Sequence, residues 1–163
     1  MDAFGRLLAD NRRYAPSHRA IAGARPSRRL AVVTCMDARI DVFAALGLDL
    51  GDAHVIRNAG GRVTDDVLRS LALSTHALGV DTVALIEHTE CGLTGTSEDD
   101  LRKLTGADTE FLAIADHSEA LRRDVELIVS TPYLRTITSV AGFLLDIAAG
   151  TLDEVVRGGL PAS

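Results

Sequence analysis

Three residues have the types needed to share one metal ion: Cys35 in VVTCMDAR, and His88 with Cys91 in IEHTECGLTG. Two thiolates and an imidazole suit zinc. Three protein donors with a fourth position left over is the catalytic arrangement, whereas four protein ligands close a structural site. Asp37 stands two residues after Cys35 and could fill that position or lie beside it. Arg39 stands two further on. Residues two apart do not face each other on a regular helix, so a pairing of Asp37 with Arg39 needs a turn. A bidentate arginine would keep the carboxylate ionised and in one geometry. From the residues alone other readings stay open. Cys35 and Cys91 could be buried inert thiols or a disulfide, and His88 a core histidine. Asp37 could be the N-cap of the next helix, and Arg39 a solvated charge. His18, His54, His76 and His117 sit in no motif and read as ordinary.

The elements that must position these residues follow from periodicity. Residues 2–13 carry Phe4, Leu7, Leu8 and Asn11 at helical spacing and read as a short amphipathic helix, followed by a polar connector containing Pro16, Pro26 and RPSRR. LAVVTC (30–35), AHVIRN (53–58) and DTVALIEH (81–88) read as strands, with a helix in DVFAALGL stopping near Gly47. Thr64 is an N-cap for the helix through TDDVLRSLALSTHAL, with Gly79 as its stop. Residues 96–107 are polar and unplaced, SEDD (97–100) being a solvated loop or a helix start. Residues 108–130 are expected to form one long helix ended by Pro132. GFLLDIAAGTLDEVV reads as two strands joined at AAGT. Strands alternating with helices predict one α/β domain over 1–163, residues 1–29 being its N-terminal helix and connector. Its sheet is expected to be mostly parallel in the order 2-1-3-4, with helices on both faces and a C-terminal antiparallel hairpin at the edge. In such sheets ligands bind outside the carboxyl ends of strands where the order reverses. With that order, Cys35, His88 and Cys91 converge on one crevice.

Composition narrows the function. Apolar residues make up 47% and charged residues 25%, a globular balance that argues against disorder. A net charge of −6 disfavours nucleic acid and anionic membrane surfaces. With no tryptophan and 4% aromatic residues, a base-stacking platform is not expected. No apolar stretch approaches the ~20 residues that span a bilayer, and the N-terminus lacks the features of a secretory signal. A cytoplasmic location is therefore expected, where two cysteines are metal ligands or free thiols before they are a disulfide. The absence of CxxC weakens a thiol redox reading.

The ordered motifs resemble one family. CMDAR (35–39) resembles the CxDxR motif of the β-class carbonic anhydrases, HTEC with Gly92 resembles their HxxCG, and IRNAGG (56–61) the loop between them. GFLLDIAAGTL (142–152) is similar to their C-terminal hairpin. The resemblance runs from about residue 30 to 157 and is nearest the compact bacterial and archaeal members. It implies zinc on Cys35, His88 and Cys91, with Asp37 and Arg39 as the catalytic dyad and Asp37 as a fourth ligand in a closed state. Asn58, Ala59 and Gly60 would border the substrate. It implies reversible hydration of carbon dioxide to bicarbonate and a proton by a zinc-bound hydroxide, in a homodimer or a dimer of dimers. Zinc lowers the pKa of bound water from ~15.7 to ~7; thiolate ligands should weaken that effect and favour alkaline pH. One departure is visible: many members have glycine before the histidine, and here it is Glu87. The rival expectations are hydrolysis of carbonyl sulfide or carbon disulfide at the same zinc, and a non-catalytic zinc-stabilised dimer, against which the retention of Asp37 and Arg39 speaks.

Overall fold

The computed structural model describes residues 2–159; residue 1 and residues 160–163 of the expected domain lie outside it. Five strands form one sheet in the order β2-β1-β3-β4-β5. They are β1 (Leu30–Cys35), β2 (Ala53–Asn58), β3 (Thr82–His88), β4 (Ser139–Leu145) and β5 (Leu152–Gly159). The first four are parallel, and β5 returns antiparallel along β4. The expected order and terminal hairpin are present.

Two apolar layers hold the sheet. On one face α3 (Asp65–His76) and α5 (His117–Ser130) place Val67, Leu71, Leu121, Val125 and Ile128 against Val33, Val83, Leu85 and Val140. On the other, α2 (Val42–Leu46) and α4 (Glu98–Thr105) contribute Val42 and Leu101 to a cluster with Val32, Ile86, Cys35 and Cys91. Burial of both faces is what a parallel sheet requires, and it explains the continuous apolar runs of β1 and β3. The helix ends follow their capping residues: Asp41, Thr64, Ser97 and Asp116 each accept a backbone N–H of the following turn. Gly47 closes α2 in the left-handed conformation. α1 (Ala3–Tyr14) buries none of its residues; Phe4, Leu7 and Leu8 are exposed.

The expected long helix over 108–130 is shorter than its periodicity suggested. Only 117–130 is helical, because Asp116 caps there and the preceding segment is held extended by other partners. Glu98 accepts the N–H groups of Phe111 (2.9 Å) and Ala113 (2.6 Å), and Ile114 N–H donates to Leu93 O (2.9 Å). Leu112 takes a φ of 57°, which no helix accommodates. Phe111 and Ala115, inside the expected helix, therefore lie outside α5. The unplaced 96–107 segment contains α4, with Ser97 as its N-cap.

Candidate metal centre

Cys35 is the last residue of β1 and His88 the last of the neighbouring β3, so the register of the two parallel strands brings their carboxyl ends side by side. Cys91 follows on a turn in which Glu90 adopts a φ of 57°. One ligand atom from each of Cys35, His88 and Cys91 lies within 4.8 Å of the others. All three residues are buried, His88 completely.

The imidazole is fixed in one tautomer. Nδ1–H donates to Thr89 O at 2.8 Å, which leaves a lone pair on Nε2. That Nε2 is buried with no hydrogen-bond partner among the described residues. An orphaned buried acceptor is costly, and facing two sulfurs it is explained by a cation that all three donors share. Burial pushes the Cys91 thiol up, and the nearby Cys35 sulfur pushes the same way, against a backbone N–H from Leu93. Two buried thiols so close together favour their anionic form only when a cation compensates them. The donor set fits a soft-to-borderline divalent metal such as zinc.

Asp37 and Arg39 sit on the turn that their spacing required, with Ile40 N–H donating to Asp37 O at 3.1 Å. Asp37 Oδ1 accepts from the Arg39 backbone N–H (2.9 Å) and Nε (3.0 Å), and Oδ2 accepts from Nη2 (2.8 Å). The Arg39 hydrogen bonds hold the Asp37 carboxyl well below the usual carboxylate range. Arg39 itself is anchored to Glu90 O (3.2 Å) and Glu90 Oε2 (3.3 Å) on the loop that carries Cys91. Asp37 Oδ2 lies 3.8 Å from His88 Nε2, beside the donors rather than among them. Arg57 fixes the same turn from below, donating to the carbonyls of Cys35 (3.0 Å), Ile40 (3.2 Å) and Asp37 (2.6 Å).

A cleft of about 300 Å³ opens onto the centre, lined by Cys35, Met36, Asp37, Ala59, Gly60, Cys91, Gly92 and Leu93. Ala59 and Gly60, expected beside the substrate, are in this wall. Asn58 instead lines a neighbouring cleft, and its Nδ2 donates to Arg62 O at 2.8 Å.

The family model for carbonic anhydrase matches residues 30–126. A β-carbonic anhydrase 1 of Mycobacterium tuberculosis is 40% identical over 154 residues, 91% of this chain and 94% of that protein. The chain belongs to the β-carbonic anhydrase family. Among solved structures, the carbonic anhydrase of Streptococcus mutans superimposes with a TM-score of 0.86 at 37% identity, covering 96% of this chain and 99% of that one. A carbon disulfide hydrolase of Acidithiobacillus thiooxidans is 33% identical over 152 residues, 77% of this chain and 76% of that protein.

Two polar pairs near the centre were not legible as pairs in the sequence. Glu87, at the position of the family's frequent glycine, is 1% exposed, with Oε2 2.6 Å from His117 Nδ1. Burial pushes the Glu87 carboxyl up to about 8, with the Arg62 guanidinium opposing, and burial pushes the His117 imidazole down. Both shifts disfavour the charged forms of the two groups. Arg62 and Asp124 form a second buried pair. Only side-chain packing across distant segments unites these groups, and no local spacing announces them.

Proposed function

We propose that this β-carbonic anhydrase interconverts carbon dioxide and bicarbonate at a zinc ion held by Cys35, His88 and Cys91. The observation that carries the proposal is the fully buried His88, its Nε2 without a hydrogen-bond partner among the described residues and a ring nitrogen within 4.8 Å of both sulfurs. Zinc bound there supplies a Lewis acid that lowers the pKa of water from ~15.7 to ~7, making a nucleophile available near neutral pH.

The chain's own residues do the rest. Asp37, gripped through both oxygens by Arg39, is an acceptor of fixed direction. It receives a hydrogen bond from the attacking water and turns a lone pair toward the cleft. Ala59, Gly60 and Leu93 offer carbon dioxide an apolar wall, and the open mouth of the cleft lets bicarbonate leave. The Asp37–Arg39 pair argues against a purely structural metal, which has no use for a restrained carboxylate beside it.

We read residues 1–163 as one domain that works as a homodimer or a dimer of dimers. Exposed Phe4, Leu7 and Leu8 on α1 support association. So does charge: residues 1–29 hold seven arginines against two aspartates, and the remainder holds ten basic residues against twenty-one acidic ones. That asymmetry suits an arm of one copy lying on the body of another. Reduced Cys35 and Cys91 suit the cytoplasm, and no helix among the described residues is long and apolar enough to cross a membrane.

A second reading is hydrolysis of carbon disulfide or carbonyl sulfide, favoured by the 33% identity to a carbon disulfide hydrolase. Both are linear electrophiles that the same nucleophile would attack. Turnover of purified zinc protein on carbon dioxide and on carbon disulfide separates the two. Faster hydration of carbon dioxide supports the proposal; turnover confined to carbon disulfide replaces it.

A further inference from the structure

The Ala59–Gly61 segment is laid unusually close to the ends of β1 and β3. A Cβ added at Gly61 would stand 2.8 Å from Ile86 O and 2.9 Å from Cys35 N. Nothing inside Ala59–Gly61 explains why this wall stays down, since its side chains amount to one methyl group. The residues that follow it do. Arg62 is 2% exposed; its Nε and Nη2 donate to Asp124 Oδ2 (2.8 Å) and Oδ1 (3.0 Å), and its Nη1 donates to Leu112 O (2.6 Å). Asp124 Oδ2 also accepts the Val63 backbone N–H at 3.0 Å. From the other end, Asn58 Nδ2 donates to Arg62 O. The loop is thus pinned at both ends, and the outer pin is set in α5, whose Leu121, Val125 and Ile128 are buried in the core.

A buried ion pair is a poor device for stability alone, since apolar replacements of similar volume are often neutral or stabilising. What a bidentate guanidinium–carboxylate fork provides is fixed orientation. Neither Arg62 nor Asp124 lines the cleft at the donors. We propose that Arg62 and Asp124 are positioning residues for the reaction, their fork anchoring the Ala59–Gly61 wall to α5 and so fixing the cleft at Cys35, His88 and Cys91. This rests on the reading of that cleft as the place where carbon dioxide is hydrated.

Two variants test it. R62M/D124N removes both charges together while the new amide still offers an oxygen to the Val63 N–H, and R62K keeps the charge but cannot form the fork. Thermal unfolding and zinc content first establish that each is folded and loaded. Peptide-resolved amide hydrogen exchange and carbon dioxide hydration are then both measured on the zinc-loaded proteins. The expected result is exchange accelerated about ten-fold or more across 58–63 with β3 unchanged, and kcat/KM lowered about ten- to hundred-fold at unchanged zinc stoichiometry. Exchange across 58–63 and kcat/KM both within two-fold of the parent overturn the proposal. So does faster exchange with unchanged kcat/KM, which would leave the pair a fold element only. If R62M/D124N does not fold, R62K alone decides by the same two measurements. A parent protein that loads zinc but does not hydrate carbon dioxide defeats the reading of the cleft, while the exchange measurement still tests whether the fork holds the loop.

Discussion

Arg39 gives Asp37 three hydrogen bonds, one from its backbone and two from its guanidinium, and reaches past it to Glu90 on the loop that carries Cys91. The carboxylate nearest the three donors is therefore committed to a neighbour and aimed rather than free to swing. Removing the arginine should free it. Arg39→Ala and Asp37→Ala are expected to retain close to the parent's zinc content and to lose about a hundred-fold or more in kcat. Metal analysis and stopped-flow kinetics on one sample check this; loss of zinc from Arg39→Ala would count against the role given to the pair.

The donors themselves should behave differently. Cys35→Ala and His88→Ala each remove one of three ligands, and zinc and activity are expected to disappear together. Dialysis against a zinc buffer followed by metal analysis is the measurement. A variant that keeps full zinc without Cys35 or His88 would show the metal to be elsewhere.

Gly61 is expected to tolerate no side chain. Its φ of 69° favours glycine, and a Cβ would press on the backbone of Thr34, Cys35 and Ile86. Left-handed strain and overpacking together should cost Gly61→Ala about 2–4 kcal/mol in urea unfolding. Gly79→Ala serves as the control: its φ is 76°, but the position where its Cβ would sit is open, so only the conformational cost applies.

Glu98 links α4 to the extended segment before α5, and the N–H groups of Ala113 and Phe111 hold its carboxyl below the ordinary value. A folded-state pKa below the unfolded one contributes stability that is fully present above the unfolded value of ~4.3 and is lost as pH falls through the folded one. The parent should therefore exceed Glu98→Gln in stability at pH 7, with the gap closing as pH is lowered below about 4. Urea unfolding at a series of pH values reads it; a gap independent of pH would mean that the hydrogen bonds do not depend on ionisation.

Much of the site was readable because its chemistry is local. Cys35 and Asp37 share one strand end, His88 and Cys91 another, and the apolar runs before them are buried strands whose order follows a common pattern. The expectation failed where partners lie far apart in sequence. Residues 108–116 have helical spacing, yet the Glu98 carboxylate and Leu93 O take their N–H groups and make the extended course the better satisfied one. Arg62 with Asp124, and Glu87 with His117, lie far apart in the sequence and become partners only when α5 packs on the sheet. α4 went unplaced because its polar face outweighs its one buried residue, Leu101.

The most direct test is stopped-flow hydration of carbon dioxide across pH, with zinc measured on the same protein and Cys35→Ala run beside it. The account predicts turnover proportional to bound zinc, rising with pH, and reduced to the uncatalysed rate in Cys35→Ala. A zinc-loaded parent no faster than Cys35→Ala at any pH would contradict it.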